Sequence, residues 1–401
     1  MTAHRGTLPP SVSPWLRDGP GTVLRLFREH PDGLTTLEVS QLAGVSRTAA
    51  AQRLDLLREH GYLEVRSTTV SGRGRPAERL GLARGRGVLL VADTGATAMR
   101  LALCDAAGTV LLEHFTPCDI TAGPTAVLER VDAGFRLMLR RTGHRVDEVL
   151  GIGLDVPGPV DHARGRVVSP PIMTGWHEFD IPAFLTERYH CPVIVEKDTN
   201  AMVLGEQRQV HPTVDNLVFV KIGTGVGTGL LVRGELYRGA DGAAGDIGHI
   251  APSGDGDDEP LCRCGNRGCV EAYAGGWALA RDLTDAGFPA HSVDDIVALV
   301  RSGNRTALGL VRAAGRTIGA AVADIVNMIN PSVIVFGGQL AALDDIILAA
   351  AREVIYRRSL PLATRNLRIE PSGIPDPGVH GLAQLVTDLL YAADRVDAQL
   401  T

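Results

Sequence analysis

The sequence predicts an α/β chain: a small N-terminal winged helix-turn-helix, then a larger portion built from two similar lobes. Three observations predict it. The first 86 residues hold three short amphipathic segments with capping signals and an arginine-glycine tip between two strand-like runs. Two apolar strands further on each end in a glycine-rich turn, about 130 residues apart. Three of the six cysteines crowd into the span 262–269.

Composition sets the outer limits. A chain of 401 residues with 45% hydrophobic and 21% charged content can bury a sizeable core in two or three domains, and is neither disordered nor fibrous. The net charge of −6 excludes a basic field over the whole molecule, yet the charge is unevenly spread. Up to Gly87 there are 13 Arg against 8 acidic residues, +5, which leaves −11 for the rest. Lys197 and Lys221 are the only lysines. No apolar run of about 18 residues occurs and Met1 to Pro10 lacks a secretory signal, so the expectation is a cytoplasmic protein with no membrane segment. Six cysteines are too few for a disulfide scaffold.

In the N-terminal portion, Val23, Leu24 and Phe27 lie at helical spacing before a Pro31-Asp32-Gly33 turn. Thr35 and Glu38 have capping-box spacing, Leu37, Val39 and Leu42 supply a stripe, and Gly44 stops a second helix. Ser46 caps a third, whose apolar face is Ala50, Leu54 and Leu57 and which Gly61 follows. Its opposite face carries Thr48 and Gln52, flanked by Arg47 and Arg53, polar side chains able to reach base edges. Tyr62 to Val65 and Glu78 to Leu82 read as the strands of a wing. Arg73 and Arg75 in its Gly-Arg-Gly-Arg-Pro tip suit a narrow minor groove. The competing reading is a helical protein-interaction module with a solvated arginine loop.

The larger portion opens with the buried-strand run Val88 to Asp93, the turn Asp93-Thr94-Gly95-Ala96-Thr97 and a returning strand Leu101 to Cys104, with a third near Val110. Such a hairpin can turn backbone N–H groups to phosphate, with Asp93 holding a metal through water, or be an ordinary turn. The turn Gly223-Thr224-Gly225-Val226-Gly227 between Leu217 to Ile222 and Leu230 to Val232 repeats it. Gly337-Gly338 ends a strand where a flat purine could approach. Two hairpins and a glycine pair suggest duplicated lobes closing on a nucleotide. Between them, the apolar run Val193 to Val195 leads to Asp198 at a strand's C-terminal end. Asp198 could take a proton from a hydroxyl, accept its hydrogen bond, or cap a helix.

Cys262, Cys264 and Cys269, with His249 upstream in Gly-Asp-Ile-Gly-His, make a closed tetrahedral set suited to structural zinc that pins His249 and Asp246 against a ligand cleft; three free thiols are the alternative. Cys104, Cys118 and Cys191 sit in or beside apolar stretches and read as core.

With these motifs in order, the chain resembles the ROK family of sugar kinases and sugar-responsive repressors over almost its whole length. The cysteine cluster behind Gly-Asp-Ile-Gly-His is the most specific part, and the winged helix with Gly-Arg-Gly-Arg-Pro is similar to the repressor branch. The resemblance implies a bilobal, actin-like (ribonuclease H-like) ATPase-type fold, in homodimers or homotetramers. It divides the chain into a winged helix at 1–86, a first lobe at 87–206 with a helix at 376–401 packing back on it, and a second lobe at 207–375 with the zinc site. Carried over by position, sugar contacts fall near Gly158 and on Asp198, Asp246, His249 and Glu271, with Asp198 matching the kinase general base. Zinc falls on His249, Cys262, Cys264 and Cys269. Phosphates of ATP, with Mg2+, would meet Asp93, Gly95, Thr97, Gly223, Thr224, Gly225 and Gly227, with Gly337 and Gly338 beside the base.

The sequence departs from the kinase pattern at three places: Lys197 stands where asparagine is usual, Asp246 where glutamate is usual, and Ala98 where lysine commonly follows the first phosphate motif. An ammonium of Lys197 beside Asp198 would lower that carboxylate's pKa and weaken it as a base, favouring binding over chemistry and an anionic effector such as a sugar phosphate or uronic acid; alternatively Lys197 points to solvent. The function expected is a sugar-responsive, DNA-binding repressor of carbohydrate-metabolism genes, its dimer placed on an inverted-repeat operator. An ATP-dependent, glucokinase-like sugar kinase that retains a DNA-binding domain is the alternative, and a zinc-stabilised scaffold with no ligand a third.

Overall fold

The computed structural model describes residues 19–69, 77–251 and 259–400. The wing tip with Arg73 and Arg75 lies outside the described residues. The N-terminal module runs α1 (Pro20–Glu29), β1 (Leu34–Thr35), α2 (Thr36–Ala43), α3 (Arg47–Glu59), β2 (Leu63–Thr69) and β3 (Ala77–Leu82). Its turns form for the reasons the sequence offers. Thr35 and Glu38 close a reciprocal capping box on α2, Gly44 takes the left-handed conformation at φ 66° behind it, and Ser46 caps α3. The β2–β3 hairpin is the wing, and β1 adds a short third strand to it at Leu34 and Thr35.

Two five-stranded sheets follow. The first is formed by β4 (Val88–Thr94), β5 (Ala98–Asp105), β6 (Val110–Pro117), β7 (Val149–Val156) and β10 (Val193–Lys197), in the order β10-β7-β4-β5-β6. The intervening pieces are α4 (Pro124–Thr142), the small ladder β8 (Val160–Asp161) with β9 (Arg166–Val167), and α5 (Ile181–Tyr189); α6 (Asp198–Gln209) leaves the end of β10. The second sheet takes β11 (Leu217–Ile222), β12 (Val226–Val232), β13 (Glu235–Leu236), β14 (Val333–Gly337) and β15 (Arg368–Pro371), in the order β13-β12-β11-β14-β15. In each sheet the leading strand pairs antiparallel with the next and parallel with the strand that follows a helical crossover. The topology is thus used twice, as the repeated glycine hairpins suggested. Helices α7 (Val270–Ala274), α8 (Gly276–Asp285), α9 (Val293–Arg301), α10 (Arg305–Ile329), α11 (Asp344–Arg358) and α12 (Pro361–Thr364) belong to the second half, whose core Val220, Ile318, Val322 and Phe336 help to fill.

The C-terminal segment departs from the single helix expected at 376–401. It forms two, α13 (Pro377–Leu390) and α14 (Ala393–Leu400). Helix α13 packs on β4, β7 and α6, so it does return to the first sheet. Its contact with α6 is close because two glycines face backbone: a Cβ on Gly205 would lie 1.9 Å from the Pro377 carbonyl oxygen, and one on Gly381 1.8 Å from that of Ala201. Helix α14 goes elsewhere and packs on α1. Tyr391 and Val396 are buried in the same apolar cluster as Val23, Phe27, Leu54 and Tyr62, so the far end of the chain completes the core of the N-terminal module.

Candidate functional site

A cleft with a cavity volume of about 470 Å³ opens where the two glycine hairpins, β4–β5 and β11–β12, face the start of α6. It gathers all six residues expected to meet a sugar, Gly158, Lys197, Asp198, Asp246, His249 and Glu271, together with Asp93, Gly95, Thr97, Gly223, Thr224, Gly225, Gly227 and Gly338. Gly337 is not among its lining residues. A side chain there would strike the Phe219 ring at 2.3 Å, so packing inside the second sheet accounts for that glycine. Gly225 has a specific neighbour too, since a Cβ would come within 2.4 Å of Glu271 Oε2. That carboxylate is held on both oxygens, accepting from the Val226 amide at 3.1 Å and from Trp277 Nε1 at 3.1 Å, so it braces the hairpin against α8.

The floor of the cleft is acidic. Asp93 and Asp155 are opposite each other in the parallel register of β4 and β7, and Asp198 follows the end of β10 next door. Asp155 is fully buried, and its Oδ1 accepts from the Thr94 amide at 2.8 Å while Oδ2 has no hydrogen-bond partner. Burial pushes the Asp155 carboxyl well above the usual carboxylate range, and Asp93 and Asp198 push it further. Burial also raises Asp93, with the Lys221 ammonium opposing. Lys221, on β11, reaches in from the other sheet and donates through Nζ to Asp198 Oδ2. Burial works against its charge, but Asp198, Asp93 and Asp155 outweigh this and raise its pKa, so it carries a proton.

The cation on Asp198 is therefore not the one expected from the sequence. Lys197 is 5% exposed and does not point to solvent; its Nζ faces Asp246 Oδ1 at 3.3 Å. Strand alternation explains the exchange, because Lys197 closes β10 and turns away from Asp198, the first residue of the helix. Sequence reasoning missed Lys221 and Asp155. The available signal was a charge interrupting each of two otherwise apolar buried strands, Leu217–Ile222 and Val149–Val156. It also missed Glu196, a buried carboxylate that accepts from Asn200 Nδ2 at 2.9 Å and from Arg238 Nε at 2.8 Å, tying β10 to the loop after β13.

Beside the cleft, one ligand atom from each of His249, Cys262, Cys264 and Cys269 lies within 4.8 Å of all the others. His249 Nδ1 faces Cys262 Sγ at 3.7 Å, and Cys264 Sγ faces Cys269 Sγ at the same distance. Three sulfurs and one imidazole nitrogen converging this closely fit a tetrahedral metal ion with no open position. Cys104, Cys118 and Cys191 are buried far along the chain from this group, as core residues.

On the N-terminal module, α3 buries Ala50, Leu54 and Leu57 and exposes Arg47, Thr48 and Gln52, with Arg53 half-buried at the flank. Fold and site together define a two-lobed ligand-cleft protein that carries a winged helix-turn-helix. The chain belongs to the ROK family, whose profile matches residues 90–388, and residues 21–67 match the IclR helix-turn-helix domain. The xylose repressor of Bacillus subtilis (strain 168) is 25% identical over 358 residues, covering 88% of this chain and 91% of the relative. That of Caldicellulosiruptor bescii is 25% identical over 373 residues, covering 89% and 92%. A glucokinase of Thermotoga maritima is 28% identical but aligns with 64% of this chain and 87% of its own. Among solved structures, a ROK family transcriptional regulator described as a homolog of the Escherichia coli MLC protein superposes with TM-score 0.79 at 24% identity, over 95% of this chain and 98% of that one. A ROK family glucokinase from Streptomyces griseus, in complex with glucose and AMPPNP, gives TM-score 0.64 at 26% identity over 75% and 99%.

Proposed function

We propose that this protein is a sugar-responsive transcriptional regulator that represses carbohydrate-metabolism genes. A homodimer, or a tetramer made of such dimers, would set two winged helices on an inverted-repeat operator, with Arg47, Thr48, Gln52 and Arg53 at base edges and Arg73 and Arg75 in the flanking minor groove. A sugar would be held by Gly158, Lys197, Asp198, Asp246, His249 and Glu271, and zinc on His249, Cys262, Cys264 and Cys269 would fix that wall. Both lysines of the cleft already face carboxylates, which supports a neutral sugar over the anionic one considered from Lys197 alone.

The observation that carries the reading is α13. Its first turn abuts the cleft, where a Cβ on Gly378 would lie 2.6 Å from Asp93 Oδ2. Its other end, about 21 Å away at 1.5 Å per residue, delivers Tyr391 into the core of the helix-turn-helix module. Ligand closure that shifts α13 would shift the recognition helices, and a modest rotation suffices to break simultaneous contact with two half-sites. Genome-wide mapping of bound DNA tests this, followed by footprinting of the sites with a panel of neutral sugars and sugar phosphates. One neutral sugar that releases the protected operator is the expected result. No protected site with the intact protein overturns the reading.

The glucokinase relatives favour a second reading, sugar phosphorylation with Asp198 as base. The residues present do not fit ATP with Mg2+. Lys221 already neutralises Asp198, and Ala98 offers no cation to the first hairpin. Sugar-dependent ADP release in a coupled assay would restore the kinase reading.

A further inference from the structure

The floor of the cleft has a charge problem that the chain solves with its own side chain. Asp93, Asp155 and Asp198 converge from three neighbouring elements of the first lobe, two of them directly opposite in strand register. Like charges so placed repel, and a nucleotide-binding cleft would meet them with a divalent ion. Here Lys221 crosses from the second sheet, its side chain one-fifth exposed, and donates to Asp198. Its strand is otherwise apolar, so nothing but this cluster accounts for a charge at that position.

We propose that Lys221 is the resident cation of the cleft: its ammonium stands among Asp93, Asp155 and Asp198, in the place of any divalent ion these carboxylates would hold, so the cleft accepts its polyol ligand without metal or nucleotide. The residues bear this out in three ways. Asp155 Oδ2 is buried with no hydrogen-bond partner, so the cluster already holds more acceptor than donor. Asp198 Oδ1 accepts from the Thr199 amide at 2.6 Å and its Oδ2 from Lys221, so a divalent ion on Asp198 would have to displace the ammonium. Lys221 also comes from the opposite lobe to all three carboxylates, so the pair bridges the halves of the cleft. The ammonium then stands in for the metal in holding the two lobes to one another. Specificity follows, because a ligand that brings its own divalent ion meets a fixed positive charge. The inference deepens the regulator reading, but its test uses neither sugar nor DNA, so either can fail without the other.

The probe is Mn2+, followed by loss of the free-ion paramagnetic resonance signal as full-length protein is titrated at neutral pH. Wild type is expected to take up none into the cleft at millimolar concentration. Lys221→Met is expected to take up one equivalent, and to lose it again when Asp198→Asn is added. Lys221→Arg, which keeps a cation, should behave as wild type. If Lys221→Met does not fold, Lys221→Met with Asp155→Asn removes the surplus buried carboxylate and is titrated instead. One equivalent bound by wild type and abolished by Asp198→Asn overturns the proposal, as does a folded Met variant that binds no Mn2+. As a measurement free of any variant, added Mg2+ should leave the wild-type melting temperature unmoved; a rise that Asp198→Asn removes counts against the idea.

Discussion

Asp397, in the last helix, accepts a hydrogen bond from the backbone amide of Gly21, in the first, at 2.7 Å. Helix α1 has no side-chain cap of its own, with Gly19 at its N-cap, so a carboxylate 376 residues away supplies the acceptor and the negative charge that its N-terminus favours. The same junction holds Tyr62 edge-on to Tyr391, ring centroids 6.1 Å apart, and Tyr391 donates from its hydroxyl to the Ala106 carbonyl at 2.8 Å. Arg28 pairs with Asp388 across it. The DNA-binding module is thus fastened to the effector lobes by the chain's end, not only by the segment that follows β3.

Asp397→Ala should therefore loosen this joint while leaving the cleft intact. Loss of a helix cap costs about 1 kcal/mol, expected as faster amide exchange confined to α1 and α14. Operator affinity should change little, whereas the concentration of sugar needed for release should rise. Equal effector response in variant and wild type would show that the coupling runs elsewhere.

Gly381→Ala tests the middle of the route. A methyl there cannot be placed without separating α13 from α6, because the obstruction is backbone oxygen and not a mobile side chain. Overpacking of this kind costs about 3 kcal/mol, read as a lower denaturant midpoint. Gly378→Ala probes the cleft end and should weaken sugar binding more than it weakens the fold, since its obstacle is the Asp93 carboxylate.

The buried carboxyls give a dependence on pH. Asp155 and Asp93 both have raised pKa values in the folded chain, so above about pH 4, where an ordinary carboxylate loses its proton, the native state binds more protons than the unfolded state. Their contribution to stability accordingly falls as pH rises through the raised native values. Asp155→Asn keeps an oxygen for the Thr94 amide and removes the charge. Thermal unfolding should find the variant more stable than wild type at about pH 8, by a margin that shrinks toward about pH 5. The margin between the two proteins is the measure, because every other ionisable group is common to both.

Much of this was legible in the sequence where the signal is local. Thr35 with Glu38, Ser46 and Gly44 bound the helices of the N-terminal module, and the spacing of Cys262, Cys264 and Cys269 marks the ligand set, because each depends on residues a few positions apart. The partner of Asp198 was not legible. Lys197 is adjacent in sequence and Lys221 is not, and only the meeting of two sheets decides which ammonium reaches it. Nor was the break between α13 and α14, where Leu390, Tyr391 and Ala392 include neither glycine nor proline. Tertiary contact sets that break, with Tyr391 held between Tyr62 and Ala106. Gly337 carried a misleading signal, since a glycine that admits an aromatic side chain and one that admits a ligand look alike in sequence.

The cysteine group separates a structural metal from a catalytic one. With four protein ligands, zinc on His249, Cys262, Cys264 and Cys269 would leave no position for water or substrate, so its removal should act through shape alone. His249 and Cys264 both line the cleft, and the amide of Val270, just past Cys269, donates to the Ile250 carbonyl, so the ligand set is wired to the wall that also presents Asp246 and Glu271. Chelation, or Cys262→Ser, is expected to release one equivalent of zinc, to lower the melting transition and to weaken sugar binding. The core of the N-terminal module takes no residue from the second lobe, so the module should keep its affinity for operator DNA but lose its response to the sugar. Elemental analysis gives the metal content, and footprinting with and without the sugar gives the response. Sugar release that survives complete loss of zinc would disconnect the metal from the wall and leave it as a fastening of the second lobe alone.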